Sequence, residues 1–169
     1  MMSLFPADIE EKVAHILTHY RERRMMLSTA ESCTGGLIAG ALTQIAGSSA
    51  VVDRGFVTYT NEAKMELIGV SPATLEAFGA VSKETALQMA HGALYRSRAD
   101  VVVAVTGIAG PGGGSSEKPV GLVHLAARAK SGTIIHREMR YGDIGRTEIR
   151  LATVRTALDM LIEAAQAVP

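Results

Sequence analysis

Apolar residues recur along this chain in two rhythms that alternate from one end to the other. Ile9, Val13, Ile16, Leu17 and Tyr20 keep helical spacing, and Arg21, Arg23 and Arg24 crowd the end where a helix dipole favours cations. Residues 25–30 form a short apolar and β-branched run, followed by the polar turn Glu31-Ser32-Cys33-Thr34-Gly35-Gly36. Leu37, Ile38, Ala41, Leu42 and Ile45 then return to helical spacing, so the segment predicts strand, turn, helix.

The same reading continues downstream. Residues 51–59 predict a strand rich in Val, Phe, Thr and Tyr, interrupted by Asp53-Arg54-Gly55, with a bulge or bend expected near Gly55. Residues 61–68 and 71–78 predict two short helices, the second opened by Ser71 as cap and Pro72 at its first helical position. Residues 82–96 predict a longer helix. The bare apolar run 101–105 reads as a strand covered on both faces, and it leads directly into the glycine loop that starts at Thr106. Residues 120–129 and 133–141 predict an antiparallel hairpin around Lys130-Ser131-Gly132. Ile144, Leu151, Val154, Leu158, Leu161 and Ile162 outline a closing helix. The expected fold is therefore α/β: a three-layer α/β/α sandwich with a mixed, mainly parallel sheet and a C-terminal antiparallel hairpin, in one domain over 1–169.

Composition narrows the function classes. The 169 residues carry 17 basic and 17 acidic side chains, so no bulk field draws the chain to nucleic acid or an acidic membrane. With 47% apolar residues and a mean hydropathy of +0.19, the chain is packed rather than disordered, and some apolar surface is expected to meet a second copy, a dimer being the favoured assembly. The single cysteine, Cys33, cannot form an internal disulfide; acidic Asp8 and Glu10 follow the start too closely for a signal peptide; and no run approaches a membrane span. The cytoplasm is the expected compartment.

Three segments carry candidate chemistry. Ser32 stands between a strand and a helix start, where unpaired amides attract negative charge, although Ser32 or Thr34 equally suits a helix cap. Gly35 and Gly36 suit close helix packing or close ligand approach. Glu31 points away from Ser32 if both lie on a strand and reads as structural, while Cys33 is a rival nucleophile or a small buried hydrophobe. Lys64 and Tyr59 sit where a strand gives way to a short helix; a lysine buried in a crevice can serve as a base, whereas most lysines solvate a surface. The loop from Thr106 through Gly107, Gly110 and Gly112 to Gly121 has glycines enough to cradle a phosphate, but lacks both the P-loop and the dinucleotide patterns. Arg146 is the expected phosphate clamp, with Arg150 one helical turn on as the fallback. The five histidines are scattered, and no metal or cofactor is expected.

Taken together, Thr29-Ala30-Glu31-Ser32-Cys33-Thr34-Gly35-Gly36, the run from Gly55 to Lys64 and Thr106-Gly107-Ile108-Ala109-Gly110-Pro111 resemble the C-terminal domain family of the competence/damage-inducible protein CinA. Ala80-Val81-Ser82, Lys118-Pro119-Val120-Gly121 and Gly142-Asp143 with Arg146 match in the same order, so the resemblance covers nearly the whole chain. It implies a nicotinamide-nucleotide amidase that converts nicotinamide mononucleotide to nicotinate mononucleotide and ammonia in pyridine nucleotide recycling. It also implies a stand-alone form, without the N-terminal domain that some relatives carry. Carried over by position, Ser32 becomes the nucleophile and Lys64 its activator, with Tyr59, Thr106 and Arg146 as substrate or catalytic contacts. Ile144 and Gly145 lengthen the usual Gly-Asp-Arg spacing, which leaves Arg146 and Arg150 both open. The competing expectation is a non-catalytic nucleotide-binding or protein-interaction module of a competence or DNA-damage assembly.

Overall fold

The computed structural model describes residues 2–169. Five strands, β1 (Leu27–Glu31), β2 (Val52–Val57), β3 (Val101–Gly107), β4 (Leu122–Ala129) and β5 (Ile134–Arg140), form one sheet in the order β2-β1-β3-β4-β5. The helices are α1 (Ala7–Glu22), α2 (Leu37–Thr43), α3 (Asn61–Ile68), α4 (Pro72–Phe78), α5 (Lys83–Tyr95) and α6 (Arg146–Gln166). The sandwich is as expected, and the sheet is mixed. The neighbour pairs divide evenly, however: β1 is parallel to β2 and β3, whereas β4 is antiparallel to β3 and β5. Only β4 runs against the other strands.

Alternation along β3 explains the layers. Val101, Val103 and Val105 join the core under α1, α2 and α6, while Val102 and Ala104 face α5 with Ile68, Met89 and Ala126. Side chains on both faces of β3 are buried, as its uninterrupted apolar run requires. Arg23, just past α1, donates to the Ala165 and Val168 carbonyls and so supplies the cation that the last turn of α6 lacks.

The bulge in β2 lies at Asp53 rather than near Gly55. Leu27 pairs with Val52 and Ser28 with Arg54, leaving Asp53 outside the register. Its carboxylate instead accepts from the Arg98 amide at 3.0 Å and from Arg54 Nε at 2.6 Å, which tie it to the loop before β3.

The topology makes a crevice at one end of the sheet. From β1 the chain crosses through α2 on one face to β2, then returns through α3, α4 and α5 on the other face to β3. The carboxyl ends of β1 and β3 therefore lie side by side where the connections diverge, the usual place for a ligand in such sheets.

Candidate active site

Ser32 follows the last residue of β1, and its amide donates to the Val105 carbonyl of β3 at 3.1 Å, so the serine is fixed at the crevice. Consecutive side chains leave a strand on opposite faces, and here that separates Glu31 from Ser32. Glu31 is fully buried, and its carboxylate accepts from Thr34 Oγ1 at 2.6 Å and from the amides of Ile38 and Ala39 at 2.8 and 3.0 Å. It is the cap of α2, a task that neither Ser32 nor Thr34 performs.

That capping corrects the expected role of the helix start. The Ile38 and Ala39 amides are occupied by Glu31, and the Gly35 amide donates to the Ser32 carbonyl at 3.0 Å. Gly35 and Gly36 have φ of +57° and +102°, left-handed values that the tight turn into α2 demands of glycine. Thr34, Gly35 and Gly36 thus build the turn and do not line the cleft on the far side of Ser32.

Lys64 enters from α3, whose first turn is capped by Thr60 Oγ1 accepting from the Ala63 amide. Its side chain is 1% exposed, and Nζ lies 2.9 Å from Ser32 Oγ, 2.9 Å from the Thr58 carbonyl and 3.4 Å from the Tyr59 carbonyl. Among the described residues no carboxylate lies within ion-pair distance. Burial pushes the ammonium below its ordinary pKa of 10.5, against a smaller opposing effect of Cys33. A neutral amine has two N–H groups and one lone pair. Protonated, Nζ donates to Ser32 Oγ and to both carbonyls; once it gives up a proton the carbonyls, which can only accept, keep the two N–H groups and the lone pair is freed for the Ser32 hydroxyl.

These residues line a cleft of about 270 Å³ together with Tyr59, Thr106, Gly107, Gly110, Gly112 and Arg146. Arg146 donates to the Gly110 carbonyl at 2.7 Å and to Tyr59 Oη at 3.1 Å, fastening the glycine loop to the strand exit across the mouth. Arg150 does something else: its guanidinium holds the Cys33 and Thr34 carbonyls at 3.2 and 3.1 Å, behind the turn. Of the two arginines that the sequence left open, Arg146 lines the cleft and Arg150 does not. Ala80 and Val81 also line the cleft, residues whose plain apolar side chains gave no chemical signal.

Cys33 is 6% exposed and packs in the core with α2 and α6. Burial drives its thiol pKa up to about 12, against the lowering expected at a helix start, so at neutral pH it carries no thiolate. No group of three His, Cys, Asp or Glu side chains among the described residues is arranged to hold a metal ion. No helix among them is long and apolar enough to cross a membrane.

Residues 7–165 match the model of the CinA C-terminal domain. The chain belongs to that family. It is similar to the competence/damage inducible protein CihA from Agrobacterium tumefaciens, with 74% identity and a TM-score of 0.96 over 96% of this chain and 99% of that one. Nicotinamide-nucleotide amidohydrolase PncC of Escherichia coli strain K12 is 49% identical over 154 residues, 90% of either chain. A CinA-like protein of Chlorobaculum tepidum is 47% identical over 149 residues, 85% of this chain and 34% of that longer one. Like it, the first curated relatives are matched over only about a third of their length, 33% and 36%. As a CinA C-terminal domain, the chain shares with PncC a match that runs nearly end to end in both.

Proposed function

We propose that this chain is a nicotinamide-nucleotide amidase that hydrolyses the carboxamide of nicotinamide mononucleotide to nicotinate mononucleotide and ammonia, with Ser32 as nucleophile. The observation that carries the reading is the buried Lys64, without an acidic partner and with Nζ 2.9 Å from Ser32 Oγ in the cleft. The near end-to-end similarity to a protein named nicotinamide-nucleotide amidohydrolase supplies the substrate. Lys64 Nζ takes the hydroxyl proton as Oγ bonds to the carboxamide carbon, and it returns that proton to the nitrogen as the C–N bond breaks and ammonia leaves. Water then attacks the acyl-enzyme, giving its proton to Lys64, which passes it back to Oγ as the ester bond breaks. Tyr59 and Arg146 border the mouth, where the remaining N–H groups of Arg146 and the glycine loop suit the phosphate. The neutral net charge supports a small-molecule substrate over nucleic acid, with a cytoplasmic dimer as the working form and 1–169 as one functional unit.

The test is ammonia release from nicotinamide mononucleotide. Ser32→Ala is expected to lower turnover by about 10⁴-fold or more, while Cys33→Ser retains it. Retained turnover in Ser32→Ala, or its loss only in Cys33→Ser, transfers the nucleophile to cysteine. No ammonia from the parent protein leaves the binding-module reading in its place. Equal turnover of free nicotinamide removes the phosphate subsite.

A further inference from the structure

Three consecutive carbonyls, those of Phe78, Gly79 and Ala80, are each held by a side-chain donor from a different part of the fold. Lys118 Nζ, on the glycine loop, donates to Phe78 O at 2.6 Å. The Ser82 and Thr85 hydroxyls at the start of α5 reach Gly79 O at 3.0 and 2.7 Å. Thr106 Oγ1, at the end of β3, donates to Ala80 O at 2.8 Å. The two carbonyls that precede Ala80 are thus held as firmly as its own, which fixes the segment that presents Ala80 O to Thr106.

This settles the polarity of Thr106. A hydroxyl has one proton and two lone pairs, and a carbonyl oxygen can only accept, so the single proton of Thr106 is committed to Ala80. Thr106 is 1% exposed and lines the cleft alongside Ser32 and Lys64, so what its oxygen presents to a bound molecule is lone pairs alone.

We propose that Thr106, locked by Ala80 O, is the residue that distinguishes a carboxamide from a carboxylate in the cleft. This rests on the amidase reading and gives it a direction. The –NH₂ of the substrate donates to Thr106 Oγ1 and is held with its carbon toward Ser32. The product carboxylate has no proton to give and sets oxygen against oxygen, which hastens its release. A buried polar pair left unmatched in this way weakens binding by about tenfold to a hundredfold.

The experiment compares two ligands in a protein that cannot turn over. Calorimetry on Ser32→Ala is expected to show nicotinamide mononucleotide binding about tenfold or more tightly than nicotinate mononucleotide. In Ser32→Ala/Thr106→Val, which keeps the side-chain shape without the oxygen, that ratio collapses towards one, and in Ser32→Ala/Thr106→Ser it is restored. A merely structural defect weakens both ligands alike and leaves the ratio unmoved. An unchanged ratio in the valine variant, or no restoration by serine, overturns the role of Thr106 alone. Failure of nicotinamide mononucleotide to bind Ser32→Ala overturns the amidase reading, and this one with it.

Discussion

At the scale of single residues, the site holds one side chain where it is individually uncomfortable. Lys64 is buried without a counter-ion, which disfavours folding with the charged form, and this is the condition under which a lysine can serve as the base proposed here. Lys64→Met is accordingly expected to lower ammonia release by about 10²-fold or more while leaving the thermal midpoint unchanged or raised. A lowered midpoint in calorimetry identifies the lysine as a structural strut instead. In the parent protein, kcat/KM should rise with pH as Lys64 loses its proton and level off below pH 10.5, since the folded pKa lies under that ordinary value. The Ser32 role was not legible locally, because a serine between strand and helix serves a cap equally well; what excludes the cap is Glu31, whose reach to Ile38 and Ala39 spans seven and eight residues.

At the scale of elements, periodicity and end signals located the α-helices and strands to within a few residues; most of them bury a stripe or both faces, whereas α4 and the edge strands β2 and β5 have no fully buried residue. It misplaced the bulge of β2, since Gly55 invites a bend on backbone freedom whereas the actual slip at Asp53 is fixed by Arg98, a residue 45 positions away. Arg146 and Arg150 lie one turn apart on α6 and were inseparable by spacing, yet one faces Gly110 and the other Cys33. The glycine of α5 was also silent. Gly92 sits in mid-helix, where alanine normally stabilises by about 1 kcal/mol, but a Cβ there would stand 1.7 Å from the Ile68 carbonyl at the end of α3. Gly92→Ala is expected to destabilise the protein by about 2 kcal/mol or more in denaturant titration, and to lower activity by displacing the helix that carries Lys64. A stabilised variant contradicts this packing.

At the scale of the whole molecule, one titratable pair joins two strands of the sheet, β4 and β5. His124 on β4 and His136 on β5 bring Nδ1 and Nε2 within 3.0 Å, with Lys83 and Glu84 of α5, Glu138 of β5 and Lys118 of the glycine loop as charged neighbours. Burial lowers both pKa values below the ordinary 6.5, and the contact needs one nitrogen without a proton. The unfolded chain therefore takes up protons first as pH falls, so this contribution to stability is complete above about pH 6.5 and is lost below it. Between about pH 7.5 and 5.5 the thermal midpoint should drop, and His136→Gln should flatten that slope; an equal slope in the variant places the acid sensitivity elsewhere.

The cleft also draws Ser32, Lys64, Thr106 and Arg146 from four well-separated stretches of chain, the last at the opening of α6. During synthesis this sets an order of events. Until α6 has emerged and docked on the sheet, Gly110 and Tyr59 lack the guanidinium that fastens them, however well the earlier strands are paired. A chain truncated before Arg146 keeps Ser32, Lys64 and Thr106 but lacks the side chain that fastens the mouth of the cleft.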